Sequence, residues 1–327
     1  MERLFYGLKL ASLLFYIIIS FAYCAKSDGA VNDVNSGGTP LQEKPDTSEL
    51  TKIIFHKTDF IKDFLSDTVI QITNGLQETR IDFIKKSGSR MKMLILKVDL
   101  KQTGLGLQAL VPFGEKKFGR QPITQMAASN EKAGTKILAA INGDFFNLTT
   151  GEPQSVLVVD GVVLKETRDT KARTFVGTYP DGTLVLGGLG LDGKEMDVDF
   201  TRLQQAVGGN ERLIIDHKRA LLATTSLELD EHPRTAIGYT DDRVLYALVI
   251  DGRQMGWSMG TTVADLQDIF YALNTYMAIN MDGGGSTTLA LRKKEIAQWV
   301  IQNKPSDGSE RAVGDGLGIV LKERYSK

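Results

Sequence analysis

The sequence predicts an α+β fold: a single domain with a largely antiparallel or mixed β-sheet, a few helices, and a site at strand ends. Three observations predict it. Runs rich in β-branched and apolar residues recur along the chain, separated by Asn-Gly, Ser-Gly and Asp-Gly turn pairs. Segments with helical period are few. No internal repeat and no second linker interrupts the chain after residue 50. The 327 residues are 42% hydrophobic, with 39 Lys+Arg against 40 Asp+Glu, which describes a globular chain with ample core. A net charge of -1 offers no excess of cations to nucleic acid, so no such partner is expected. One Cys excludes an intrachain disulfide and Cys-based zinc sites, and three His speak against a His-rich metal centre.

In chain order, residues 1–24 read as an export signal: Arg3 and Lys9 precede the apolar run LASLLFYIIISFA, short for a membrane span. Cys24 follows that run, where a bacterial lipoprotein carries its acyl chains, although Tyr23 is bulkier than the usual neighbour. Ordinary cleavage near Ala22 is the other reading, and a lipid at Cys24 is the single route to a membrane that the sequence offers. The expected location is exported: cell surface, periplasm or secreted. Residues 25–50, rich in Ser, Gly, Asn, Asp and Pro, read as a flexible tether. Residues 51–90 read as an N-terminal β segment, and 91–327 as the main domain. TVIQIT, LQETRIDFI and MKMLILKVDL form strands around turns at Asn74-Gly75 and Ser87-Gly88. Further hairpins fall at Asp160-Gly161 and Asp181-Gly182, and 244–250 and 315–321 are buried strands. Thr262–Tyr276 is the clearest helix, with Thr262 and Asp265 as a capping pair; 122–133 is a second.

Two catalytic-looking motifs do not hold up. Gly256-Trp257-Ser258-Met259-Gly260 has the wording of a serine-hydrolase elbow, but no His follows His232 to take the proton. Gly188-Leu189-Gly190-Leu191-Asp192-Gly193 has dinucleotide-loop spacing, but an acidic, strand-like segment follows where a helix must open. A hairpin turn is the simpler reading.

Four segments pair polar side chains with Gly at strand ends: Asn142-Gly143-Asp144-Phe145-Phe146-Asn147, His232-Pro233-Arg234, Asp251-Gly252-Arg253 continuing to Ser258, and Asn280-Met281-Asp282-Gly283-Gly284-Gly285-Ser286-Thr287-Thr288. The glycine triplet is costly in chain entropy and suggests a need for bare backbone. Successive N–H groups in such a turn make an anion cradle, to which Ser286 and Thr287 add hydroxyls. Asp282 stands at its mouth.

With Asn303 to Val313 as a fifth segment, the order and wording resemble the phosphodiester glycosidase family from about residue 90 onward. The resemblance implies hydrolysis of a sugar-1-phosphodiester at the sugar C1–O bond, releasing free sugar and a phosphomonoester. The partner is then a small molecule or glycan bearing that diester. It carries over Asn142, Arg234, Asp251, Ser258, Asp282, Gly283, Gly284, Ser286, Thr287 and Arg311 as cleft residues. Asp144 stands where relatives often have Gly, and residues 51–90 have no evident counterpart.

The chemistry agrees with that implication. Phosphate is a good leaving group, so anion stabilisation matters more than acid help. Arg234, Arg311 and the Gly283–Gly285 amides are expected to supply it. Asp282, then Asp251, is the expected carboxylate for activating water or facing positive charge at C1. No cofactor is required, and a divalent cation such as calcium or magnesium stays open. Two other readings remain: a surface glycan- or phosphoglycan-binding module without turnover, and a metal-dependent phosphodiesterase in which Asp144, Asp251 and Asp282 ligate the cation.

Overall fold

The computed structural model describes residues 47–293 and 298–322. The expected signal 1–24 with Cys24, and the tether up to residue 46, lie outside them. Strands and helices are numbered in chain order. Helix α1 (Glu49–Lys57) occupies the end of the expected tether and the start of the expected β segment. Its cause is local. Ser48 accepts a hydrogen bond from the Thr51 N–H at 3.3 Å, and Leu50 and Ile54, one turn apart, are buried.

The largest sheet runs β1 (Ile61–Thr73), β2 (Leu76–Lys85), β3 (Arg90–Asp99), β15 (Val244–Ile250), β14 (Arg234–Tyr239), β16 (Met277–Asn280), β12 (Arg212–Ile215), β13 (Lys218–Arg219). A second runs β10 (Leu184–Gly187), β9 (Thr174–Thr178), β11 (Gln205–Gly209), β7 (Leu157–Val159), β8 (Val162–Lys165). A third runs β18 (Trp299–Ile301), β17 (Leu289–Arg292), β6 (Thr135–Asn142), β20 (Gly316–Lys322), β4 (Leu105–Leu110). Short strands β5 (Gln121–Pro122) and β19 (Ala312–Val313) pair separately. Among the described residues every strand pair is antiparallel, as in a fold built of hairpins. Segment 51–90 is no separate body: β1 and β2 extend the largest sheet from β3.

Period-two alternation sets the layers. Leu96, Val98, Ile237, Ala247, Val249 and Ile279 face one core with Ala139 and Ile141 of β6, Leu317 and Ile319 of β20, and Val207 of β11. Their neighbours Ile95, Ala236, Leu248 and Ala278 face the opposite way, against α1 and against Leu266, Ile269 and Phe270 of α4 (Val263–Ala272). Helix α2 (Ile123–Ser129) covers the outer face of the third sheet through Ile123, Met126 and Ala127. Helix α3 (Ser226–Leu229) is a single turn.

Both expected helices form, each shorter than its apolar pattern. Thr262 and Asp265 cap α4 reciprocally, and the helix stops before Asn274, whose φ of 54° leaves the helical region. Helix α2 ends where the Asn130 amide donates to the Met126 carbonyl at 2.8 Å and the Val111 carbonyl at 2.6 Å. The Gly188–Gly193 stretch is a hairpin turn, closed by Gly190 N–H to Lys194 O at 2.7 Å.

Antiparallel registers then decide where function can sit. Asn142 ends β6 opposite Gly316, which opens β20. Asn280 ends β16 opposite Ala236, near the start of β14, and Ile250 ends β15 opposite Arg234. Arg234, Ile250 and Asn280 therefore lie at one strand end of the largest sheet, and Asn142 at a strand end of the third.

Candidate active site

Asn142 ties the sheets together at that end. Its Oδ1 accepts from Thr235 Oγ1 at 2.7 Å and from the Thr288 N–H at 3.0 Å, while its Nδ2 donates to the Asp282 carbonyl at 2.7 Å. The Asp282 N–H in turn donates to the Gly143 carbonyl at 3.0 Å. The segments at 142–147 and 280–288 are thereby locked side by side.

Two of the three amides of the expected cradle are already engaged within the protein. Gly283 N–H already donates to Asp282 Oδ1 at 2.9 Å and Gly284 N–H to the Pro233 carbonyl at 2.9 Å. What the glycines provide is clearance. A Cβ on Gly283 would stand 2.6 Å from the Pro233 carbonyl oxygen. Gly284 has a φ of 59°, and a Cβ there would meet Arg253 Nη1 at 3.1 Å. On Gly285 it would meet Arg311 Nη2 at 2.1 Å and Asp307 Oδ2 at 2.2 Å. Two guanidinium groups thus lie on bare backbone beside Asp282. Arg311 is held there by Asp307 at 2.9 and 2.7 Å and reaches Ser286 Oγ at 3.4 Å.

Asp282 is half-buried. Burial pushes its carboxyl up to about 6, against the pull of a Ser286 hydrogen bond, the Gly283 N–H, Arg311 and Arg173. Asp144 and Asp315 form the floor beneath. The Asp144 N–H donates to Asp315 Oδ1 at 2.7 Å, and Asp144 Oδ2 accepts the Ser155 N–H at 2.6 Å. Burial first, then the charges of Asp315 and Asp282, holds Asp144 well above the carboxylate range; burial lifts Asp315 to about 7. Arg173 Nη1 stands 3.6 Å from Asp144 Oδ1, and its guanidinium lies 5.2 Å from the Phe145 ring. Asp144 Oδ1, Asp315 Oδ2, Arg173 Nε and Nη1, Asn280 Oδ1 and Thr287 Oγ1 are buried without a hydrogen-bond partner. So much unpaired polarity at one strand end fits a surface shaped for a polar ligand.

Five expected residues have structural partners of their own. Arg234 is buried, with Nε donating to the Thr261 carbonyl at 3.1 Å and Nη2 to the Leu227 and Asp230 carbonyls at 2.6 and 3.0 Å. It anchors α3; Arg253 and Arg311 are the cations on the glycine loop. Asp251 has both oxygens engaged, by Trp257 Nε1 and by the Lys304 N–H, each at 2.8 Å. It secures the loops at 253–259 and 303–311 and is not poised as a second catalytic carboxylate. Ser258 Oγ donates to the Asp251 carbonyl at 2.6 Å and accepts the Lys92 N–H at 3.1 Å, so the elbow-like serine is a buried strut. Asn142 is likewise a strut, and Asp144 a buried partner of Asp315 and Arg173. Gly283, Gly284, Gly285, Ser286, Thr287 and Arg311 do come together with Asp282.

Sequence reasoning missed Arg173, Glu211, Glu228 and Asp315. Arg173 precedes β9 in a hairpin and carries no local signal, while Asp315 sits in one more of the many Asp-Gly pairs. Glu211 stands next to Asn210 before β12, where its side chain accepts from Asn280 Nδ2 at 2.7 Å. Among the described residues, no group of three or more His, Cys, Asp or Glu side chains is arranged to hold a metal ion.

A family model described as phosphodiester glycosidase matches residues 135–320. The chain is 33% identical over 192 residues to the SPbeta prophage-derived uncharacterized protein YomE of Bacillus subtilis (strain 168), covering 56% of this chain and 28% of that protein. It is 28% identical over 173 residues to N-acetylglucosamine-1-phosphodiester alpha-N-acetylglucosaminidase of Mus musculus, covering 49% of this chain and 32% of that enzyme. The match thus spans about a third of each curated relative or less. The zebrafish N-acetylglucosamine-1-phosphodiester alpha-N-acetylglucosaminidase catalytic domain, auto-inhibited by its pro-peptide, superposes with a TM-score of 0.57 at 21% identity, over 87% of this chain and 97% of that one. A hypothetical protein from Synechocystis gives 0.57 at 13% identity, over 79% and 64%. At such identities the two structures speak for the fold.

Proposed function

Because the chain belongs to the phosphodiester glycosidase family, we propose that it is an exported hydrolase that cleaves the sugar C1–O bond of a sugar-1-phosphodiester, releasing free sugar and a phosphomonoester. The domain is of glycosidase-hydrolase type. The observation that carries it is the seating of Arg253 and Arg311 on Gly284 and Gly285, next to Asp282.

Guanidinium forks suit phosphate oxygens, and in a partly desolvated cleft they stabilise the charge that gathers there as the C1–O bond lengthens. Arg311 is prepositioned by Asp307, so little side-chain freedom is lost on binding. Arg173 adds a third cation from the Phe145 side. Asp282, ionised above about pH 6, faces C1 and either takes the proton of the attacking water or stabilises the developing positive charge.

The test is incubation of the purified chain with a panel of nucleoside-diphosphate sugars and sugar-1-phosphate esters. Free sugar and the matching phosphomonoester are expected, with turnover reduced about 100-fold or more in Asp282→Asn. Saturable binding with intact ligand would instead mark a binding module. Sugar phosphate as first product would mark a phosphodiesterase.

A further inference from the structure

We propose that His232 is the positioning residue for Arg253: its imidazole Nδ1 accepts the Arg253 guanidinium and holds it over the glycine loop, where it meets the phosphate. The inference rests on the hydrolase reading for the identity of that anion and deepens it.

Arg253 stands where a long side chain is unusual. Its φ is 58°, a left-handed conformation that Gly or Asn adopts at less cost. The hairpin around it is closed by the Arg253 N–H to the Met259 carbonyl at 3.1 Å and the Gln254 N–H to the Ser258 carbonyl at 3.0 Å. Keeping an arginine at such a turn argues for a use of its head group. That head group lies over Gly284, where a Cβ would stand 3.1 Å from Nη1 and 3.4 Å from Nη2. Its side-chain partner is an imidazole and not a carboxylate: Arg253 Nε and Nη2 each lie 3.4 Å from His232 Nδ1. A guanidinium can only donate, so Nδ1 presents its lone pair and the ring proton sits on Nε2.

His232 is itself firmly placed. Its N–H donates to the Thr261 carbonyl at 3.1 Å, and its carbonyl accepts the Thr261 N–H at 3.0 Å. The following Pro233 favours an extended backbone at His232. Three loops close on this dipeptide through glycines. A Cβ on Gly260 would stand 2.4 Å from the His232 carbonyl oxygen, one on Gly252 2.4 Å from the Pro233 nitrogen, and one on Gly283 2.6 Å from the Pro233 carbonyl oxygen. The imidazole therefore reaches Arg253 from a rigid segment.

The two guanidinium groups on the glycine loop are then held in different ways. Asp307 neutralises Arg311 as it orients it, whereas a neutral imidazole orients Arg253 and leaves its charge for the ligand. The charged groups around the ring are Arg234 of β14, Arg253 of the hairpin and Asp230 after α3. Burial first, then the two arginines, outweigh Asp230 and hold the imidazole below its usual pKa. Protonation would remove the acceptor and set two cations together, so the neutral form is the one that holds Arg253.

The test combines nitrogen NMR of the histidine-labelled whole chain with calorimetric titration of inorganic sulfate, a tetrahedral anion whose charge is constant near neutral pH. The chain has three His, so H232N identifies the His232 signals by their loss. At neutral pH the expected state is a bare Nδ1 and a protonated Nε2. Sulfate affinity should fall about tenfold in H232A and stay within about threefold of the wild type in H232N, whose amide oxygen can stand where Nδ1 does. H232A should weaken binding no further once R253A is present, a coupling that a merely structural histidine would not show. A proton on Nδ1, no measurable sulfate affinity in the wild type, or an equal loss from H232A with and without Arg253 would overturn the role. None of these measurements needs turnover. A chain that meets them yet releases no sugar loses the hydrolase reading and keeps the pairing, and sugar release with an additive cycle does the reverse.

Discussion

Gly285 is the residue on which the site turns most sharply. Its missing Cβ is what lets Arg311 and Asp307 pack onto the loop, so Gly285→Ala should displace the guanidinium while the sheets stay intact. The expected result is a fall of at least about tenfold in kcat/KM with a Tm change of only about 2 °C, measured by sugar release and calorimetry. In the proposed reaction Asp282 sets the pH at which the site becomes competent. Its carboxyl is raised to about 6, so the working carboxylate appears as pH rises through that value, and activity should climb over the same interval. At this scale the sequence was readable where a residue's neighbours in the chain carry the information. Three glycines after Asp282 announced themselves. Arg173, Glu211 and Asp315 did not, because their meaning comes from partners across three sheets. Arg234 was over-read for the converse reason: an arginine beside a strand end looks like a phosphate ligand until its bonds to the carbonyls of 227, 230 and 261 are seen.

At the level of elements, Asn142 is the clamp between the third sheet and the largest one. Asn142→Ala removes three buried hydrogen bonds and leaves the Thr235 hydroxyl and Thr288 N–H without their acceptor. A cost of about 2–4 kcal/mol is expected in urea unfolding, with the unfolding slope unchanged; a loss under about half a kcal/mol would contradict the clamp. Helix α4 was legible because its start is written locally, in Thr262 and Asp265, and its face in Leu266, Ile269 and Phe270. Helix α1 was hidden by β-rich text on its C-terminal side and by a polar tether before it. Its helical state follows from the Ser48 cap and from packing on α4, which one-dimensional patterning does not display.

For the molecule as a whole, the site is a concentration of buried acid. Asp144, Asp282, Asp315 and Glu211 all bind protons more tightly folded than unfolded. Between the ordinary carboxylate range and about pH 7 the unfolded chain therefore holds fewer protons, and stability falls as pH rises. Asp82, Asp99 and Asp160 are shifted the other way and weaken the fold only at more acidic pH. Tm should be higher at pH 5 than at pH 8 by about 5 °C, and Asp315→Asn should narrow that gap; a Tm that rises steadily to pH 8 would contradict it. Such a stability slope follows from gathering buried carboxyls at one strand end. The convergence of five separate segments on one end of the sheets was only half legible in the sequence. Strand-end wording marked each segment, but the antiparallel registers that align those ends are a property of the assembled sheets. Which bond is cut separates the proposed glycosidase from a phosphodiesterase. Turnover of a sugar-1-phosphodiester in heavy-oxygen water, read by mass spectrometry, decides it: the label is predicted in the released sugar, and label in the phosphomonoester would contradict cleavage at C1.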